Sequence, residues 1–137
     1  MPPADRPSDE DQFQPASPTS PRVLLVEDDA MTLEFISGLF SDCGASVVEA
    51  SSRREALEVL GGQGSFDLLV TDYSLLDGTG VDVARAAEGR ASHVVLVSGE
   101  LASVPVEEAR AAGVELFVPK FELTRERVRR LLVEVLG

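Results

Sequence analysis

From residue 22 onward, short apolar runs alternate with amphipathic stretches. Val23-Leu24-Leu25-Val26 is apolar without a break, the pattern of a strand covered on both faces. A helix follows, with apolar residues at Met31, Phe35, Ile36, Leu39, Phe40 and Cys43, stopped by Gly44. Ala45 to Ala50 holds Val47-Val48 and reads as a second strand. Ser52-x-x-Glu55 is a capping box that opens a second helix through Leu57 and Leu60. Gly61-Gly62-Gln63-Gly64 ends it. Phe66 to Thr71, with Leu68-Leu69-Val70, is a third strand, and the loop Leu76-Asp77-Gly78-Thr79-Gly80 leads to a short helix near Val81–Glu88. Val94-Val95-Leu96-Val97 is a fourth strand. Pro105 suits the first turn of a fourth helix, which Gly113 ends. Val114 to Val118 is a fifth strand, and the last helix carries Val128, Leu131, Leu132 and Val135 at i, i+3, i+4, i+7.

Five βα units in a row predict an α/β fold. Strands that are apolar throughout need helices on both faces, so the sheet is parallel. Five units suit the flavodoxin-like (βα)5 arrangement with strand order 2-1-3-4-5. Pro119 supports that order, because it ends the fifth strand without an N–H for a ladder and proline belongs on an edge.

Composition divides the chain. Six of its eight prolines lie in residues 1–21, among Ser, Asp and Gln, so 1–21 is expected to be a disordered tail and 22–137 the single folded domain. No apolar run is long enough to span a membrane, and MPPADRPSDEDQ lacks the apolar stretch of a secretory signal, so a cytoplasmic protein is expected. The one cysteine, Cys43, rules out an internal disulfide and reads as a small core hydrophobe. A net charge of −12 argues against nonspecific binding to nucleic acid or anionic lipid. Eleven arginines stand against a single lysine, Lys120, a compact ammonium where the chain otherwise writes planar forks.

Ligands of such sheets bind at the carboxyl ends of the strands. Glu27, Asp28 and Asp29 follow strand one, Asp72 follows strand three, Ser98 and Gly99 follow strand four, and Lys120 follows strand five. Carboxylates on adjacent strand ends repel one another and call for a cation. Hard oxygen ligands with room for water suit Mg²⁺, which keeps positions open for phosphate oxygens. Lys120 and Ser98 can meet such oxygens and Gly99 leaves space, so together they compose a phosphoryl-acceptor site.

Residues 22–137 resemble the CheY-like receiver domain of two-component response regulators. The resemblance rests on Val-Glu27-Asp28, Val-Thr-Asp72, Val-Ser98-Gly99 and Gly113-x-x-x-Phe117-x-x-Lys120, in order and each at its strand end. It implies that Asp72 accepts a phosphoryl group from a histidine kinase or phosphotransfer protein. It implies Mg²⁺ held by Asp28, Asp72 and the Ser74 carbonyl, with Glu27 helping through water. Ser98 would move toward the phosphoryl group and Phe117 would turn inward. The face of helix four, strand five and helix five would then signal to a protein partner or a second copy. Such a protein is not an enzyme on a separate substrate; it catalyses only its own phosphorylation and dephosphorylation. Nothing follows helix five, so an attached output domain is not expected.

Two positions depart from the family pattern: Leu76 stands where proline is usual four residues after the acceptor, and Phe121 where proline usually follows the lysine. A cis bond before a non-proline residue costs about 2.5–4 kcal/mol, so trans is expected there, with a shifted loop. Val81 to Ser92 is short for helix three and its following loop. Asp29 is expected to cap helix one, Thr79 to cap helix three, Asp77 to shape a turn with Gly78, and His93 to take no part. The competing reading is a phosphorylation-independent adaptor on the same fold. A flavin-binding protein is disfavoured because Glu27-Asp28-Asp29 would repel phosphate.

Overall fold

The computed structural model describes residues 20–62 and 64–136. Most of the proline-rich tail, residues 1–19, lies outside the described residues, as do Gln63 and Gly137. Five strands form one parallel sheet: β1 (Arg22–Val26), β2 (Ser46–Ala50), β3 (Phe66–Asp72), β4 (Ala91–Ser98) and β5 (Leu116–Pro119). Their order is β2-β1-β3-β4-β5, as the sequence predicts, with Pro119 at the end of an edge strand opposite Ser98. The helices are α1 (Ala30–Asp42), α2 (Arg53–Leu60), α3 (Gly80–Ala86), α4 (Val106–Ala111) and α5 (Arg125–Leu136).

Strand side chains alternate between faces. Leu24, Val26, Leu69 and Leu96 pack on one face with Ala56 and Leu60 of α2, Val83 and Ala84 of α3 and Ala109 of α4. Val23, Leu25, Leu68, Val70 and Val95 pack on the other with Ile36 and Phe40 of α1 and Val128, Leu131 and Leu132 of α5. The continuous apolar runs are thus buried on both faces, and the five carboxyl ends are left as one open rim.

Several local expectations change. The apolar spacing of α1 includes Met31 and Phe35, yet they are 81% and 64% exposed. Leu33, Ile36, Leu39 and Phe40 already complete the buried stripe, and at 100° per residue Met31 and Phe35 fall outside it. Pro21, assigned to the tail, is buried, and its carbonyl accepts the Ser46 N–H at 2.8 Å. The fourth strand begins earlier than expected and the fifth later. α3 and α4 have only seven and six residues, so that face is thin, as its short sequence implies. Between β3 and α3, Ser74–Leu75 pairs with Gly78–Thr79 in a small antiparallel hairpin that periodicity did not reveal. No cis peptide bond occurs among the described residues, and Lys120–Glu122 forms one turn of 3-10 helix.

Candidate phosphoryl-acceptor and metal site

Glu27 directly follows β1, and its N–H bonds the Ala50 carbonyl at 3.1 Å and keeps the backbone beside the sheet. Its side chain is 3% exposed. Oε2 accepts the Asp29 N–H at 3.0 Å, and Oε1 pairs with Lys120 Nζ at 3.0 Å. β3 ends on Asp72, 7% exposed, whose Oδ2 accepts from Lys120 Nζ at 3.1 Å. The next N–H, from Tyr73, bonds the Val97 carbonyl at 2.8 Å and fixes Asp72 against β4. Asp28 is half-buried, and its Oδ2 accepts the Leu76 N–H at 2.8 Å. One carboxylate oxygen from each of Glu27, Asp28 and Asp72 lies within 4.8 Å of the others.

Three carboxylates therefore face one ammonium. Burial, then repulsion from Glu27, pushes Asp72 up to about 6, while Lys120 pulls it back and Asp28 adds to the rise. Burial pulls the Lys120 ammonium down, but its hydrogen bond to Glu27 and the charge of Asp72 outweigh that, and the net shift is upward. The site is short of positive charge. Asp28 Oδ1 and Asp72 Oδ1 accept no protein hydrogen bond among the described residues. Unspent hard oxygens in an electron-rich pocket fit a small divalent cation such as Mg²⁺.

Ser98 ends β4 and is buried; its Oγ accepts the Glu100 N–H at 2.9 Å, so the hydroxyl proton is free to donate. Gly99 is exposed, and a Cβ there would meet nothing within 4 Å, so its surroundings are open with or without a side chain. Phe117 on β5 is half-buried against the α2–α4 face, with the Arg110 guanidinium 5.5 Å from its ring centroid. Ser74 lies exposed in the hairpin, two residues past Asp72.

Among the neighbours, Asp29 caps α1 through Thr32, with its Oδ2 accepting the Thr32 N–H at 2.9 Å. Thr79 and Asp82 form a reciprocal capping box on α3. His93 pairs with Glu115 at 3.0 Å near the opposite end of β4, five residues or about 16 Å from Ser98. Asp77 does more than shape a turn: its carboxylate accepts the Arg53 and Arg54 N–H groups at 2.8 and 2.9 Å, closing the first turn of α2. Ser52 caps α2 as expected, but Glu55 reaches Ser51 rather than Ser52. Cys43 is half-buried, not fully so.

Gly80, which the sequence places only in the loop before α3, lies directly against β3. A Cβ there would run into the Asp72 carbonyl oxygen and lie 3.1 Å from Thr71 Cγ2, so the start of α3 packs directly on the Asp72 backbone.

The profile of the response regulator receiver domain matches residues 23–132. The chain belongs to that family. This receiver is 32% identical over 124 residues to the chemotaxis protein CheY of Pseudomonas aeruginosa, across 85% of its own length and 99% of that protein's. Its fold matches the CheY-like receiver domain from Methylobacillus flagellatus with a TM-score of 0.75 at 21% identity, over 85% of this chain and 98% of that one. The receiver domain of a sensor histidine kinase from Pseudomonas aeruginosa PAO1, solved with a magnesium ion coordinated in its active-site cleft, matches with a TM-score of 0.74 at 20% identity, over 86% and 98% of the two chains. Among the described residues, no helix of the receiver is long and apolar enough to cross a membrane.

Proposed function

We propose that this receiver is a phosphorylation switch in which Asp72 accepts a phosphoryl group. The observation that carries this reading is the buried Asp72 carboxylate, held by Lys120 at 3.1 Å beside the acids Glu27 and Asp28. Asp28, Asp72 and the Ser74 carbonyl would hold Mg²⁺, with Glu27 acting through water; the ion supplies positive charge to the phosphoryl oxygens.

The donor is a phosphohistidine of a histidine kinase or phosphotransfer protein. An ionised Asp72 oxygen attacks phosphorus, the P–O bond forms as the P–N bond breaks, and the leaving imidazole takes up a proton. Lys120, already on Asp72 Oδ2, meets a phosphoryl oxygen as a point charge. The free Ser98 hydroxyl proton donates to another. Phe117, lying over the α2–α4 face with Arg110, then turns inward and alters the α4–β5–α5 surface for a protein partner or a second copy. Water attack on the acyl phosphate resets the switch, so the receiver's only catalysis is on itself.

The test is intact mass after incubation with Mg²⁺ and acetyl phosphate. One added phosphoryl unit is expected, absent without Mg²⁺ and in Asp72→Asn. No addition from acetyl phosphate or from a phosphoramidate would overturn the reading and favour the phosphorylation-independent adaptor, whose partner binding Asp72→Asn would leave unchanged.

A further inference from the structure

Leu76 stands where the receiver pattern has proline. Proline carries no N–H. Here the position has one, and it donates to Asp28 Oδ2 at 2.8 Å, joining residues 48 apart in the chain. The Leu76 side chain is 92% exposed, so its own packing does not hold the position. Its flanks do. Leu75 pairs with Gly78 across the hairpin, and Asp77 is bound to the Arg53 and Arg54 N–H groups at the start of α2. Asp28, by contrast, is half-buried on the rim, and the Leu76 amide is the one protein donor on its carboxylate among the described residues. The constraint therefore runs from the loop to the carboxylate.

We infer that the Leu76 backbone amide is a positioning group for Asp28: it occupies Oδ2 and leaves Oδ1 as the oxygen that ligates a divalent cation. Hydrogen bonds of this kind fix the rotamer of a ligand before the metal arrives and raise affinity. The chain has thus exchanged the rigidity of proline for a backbone donor. The inference rests on the Mg²⁺ reading above.

Two measurements test it separately from that reading. In metal-free protein, hydrogen exchange at the residue 76 amide is expected to be slowed, and Asp28→Ala is expected to speed it at least about tenfold, as loss of a roughly 1.4 kcal/mol restraint requires. Equal exchange in both proteins overturns the bond. Mg²⁺ affinity is then followed through the fluorescence of Tyr73, the chain's one tyrosine, beside the acceptor. Leu76→Ala keeps the N–H and is expected to bind as the wild type does. Leu76→Pro is expected to bind about tenfold more weakly, the lower end of what such outer contacts contribute. Replacing Leu76 by its α-hydroxy acid removes the N–H while keeping the side chain, and should weaken binding likewise; it decides the matter if the proline variant misfolds. Wild-type affinity in both N–H-lacking proteins sinks the inference alone. No Mg²⁺ response in the wild type sinks the metal reading and this inference with it.

Discussion

Lys120 Nζ lies 3.0 Å from Glu27 Oε1 and 3.1 Å from Asp72 Oδ2, so one ammonium bridges carboxylates from the ends of β1 and β3. It reaches them from the edge strand, across the end of β4. The usual proline after this lysine is absent, and Phe121 takes its place with an 81% exposed side chain. The turn of 3-10 helix at Lys120–Glu122 nonetheless delivers the ammonium to the acids. The bridge satisfies two buried charges but leaves the third carboxylate, Asp28, to the Leu76 amide.

Removing that ammonium should have opposite effects on metal and on phosphoryl binding. Lys120→Ala leaves Glu27 and Asp72 buried without a counter-charge, and breaking a buried pair from one side costs about 3–5 kcal/mol. With Lys120 part-exposed, we expect about 2–4 kcal/mol lost from metal-free protein in urea at pH 8. Mg²⁺ no longer meets the repulsion of a neighbouring cation, so its affinity should rise about tenfold. Phosphoryl uptake should fall at least about tenfold, because the charge proposed to meet the transferring oxygens is gone. Unchanged Mg²⁺ affinity would mean that the ammonium's charge does not reach the metal position.

The raised Asp72 pKa makes a stability prediction with a definite sign. Unfolded, the carboxyl titrates near 3.9; folded and metal-free, burial first and Glu27 second push it up to about 6. Between those values the native state holds more protons than the unfolded one, so stability falls as pH rises. The contribution is complete below about pH 4 and lost through about pH 6. Asp72→Asn cannot ionise and escapes that loss. In urea without metal it should be more stable than wild type at pH 8 by about 1–3 kcal/mol, with the gap closing by pH 4. Adding Mg²⁺ at pH 8 should narrow the gap. Wild type and variant with parallel pH profiles would refute the shift.

Asp77 titrates in the opposite sense. Hydrogen bonds from the Arg54 and then the Arg53 amides hold its carboxyl below the usual range. Its stabilising contribution is therefore present above the unfolded pKa and disappears as pH falls through the folded one. Asp77→Ala should lower the thermal midpoint at pH 7 and lose that difference in acid. Because Asp77 anchors the hairpin to α2, hydrogen exchange at the Leu76 amide should also quicken. A lowered midpoint with unchanged exchange would confine Asp77 to capping α2.

The parts of this site legible in the sequence are those written at the ends of apolar runs. Glu27, Asp28, Asp72, Ser98 and Lys120 each lie at or just past the carboxyl end of a strand, and in a parallel sheet all such positions share one rim. The strand order was legible too, because Pro119 marks an edge. What stayed hidden depends on contacts between segments distant in the chain. The Leu76 amide meets Asp28 across 48 residues, and Asp77 meets α2 across 23 and 24. No periodicity encodes a loop carboxylate reaching another helix. Met31 and Phe35 misled for a related reason: apolar residues at helical spacing do not say which of two adjoining stripes the core will take, and four others filled it.

Gly80 and Gly99 flank the site, and the structure assigns them different burdens. A Cβ on Gly80 would strike the Asp72 carbonyl oxygen, with Thr71 Cγ2 and Oγ1 both at 3.1 Å. The obstacle is backbone of a central strand, and the Gly80 N–H is itself bonded to the Tyr73 carbonyl at 2.8 Å, so neither side can yield. Gly80→Ala should therefore cost about 1–3 kcal/mol in urea unfolding, the usual penalty of overpacking. The strain falls on the peptide of Asp72, the proposed acceptor, so phosphoryl uptake should fall as well, even where the variant is fully folded. Gly99→Ala meets open space and should stay within about 0.5 kcal/mol of wild type. Equal losses at the two positions would mean that α3 shifts away from β3 to admit the methyl group, and that the close seat of Gly80 on Asp72 does not set the geometry of the acceptor.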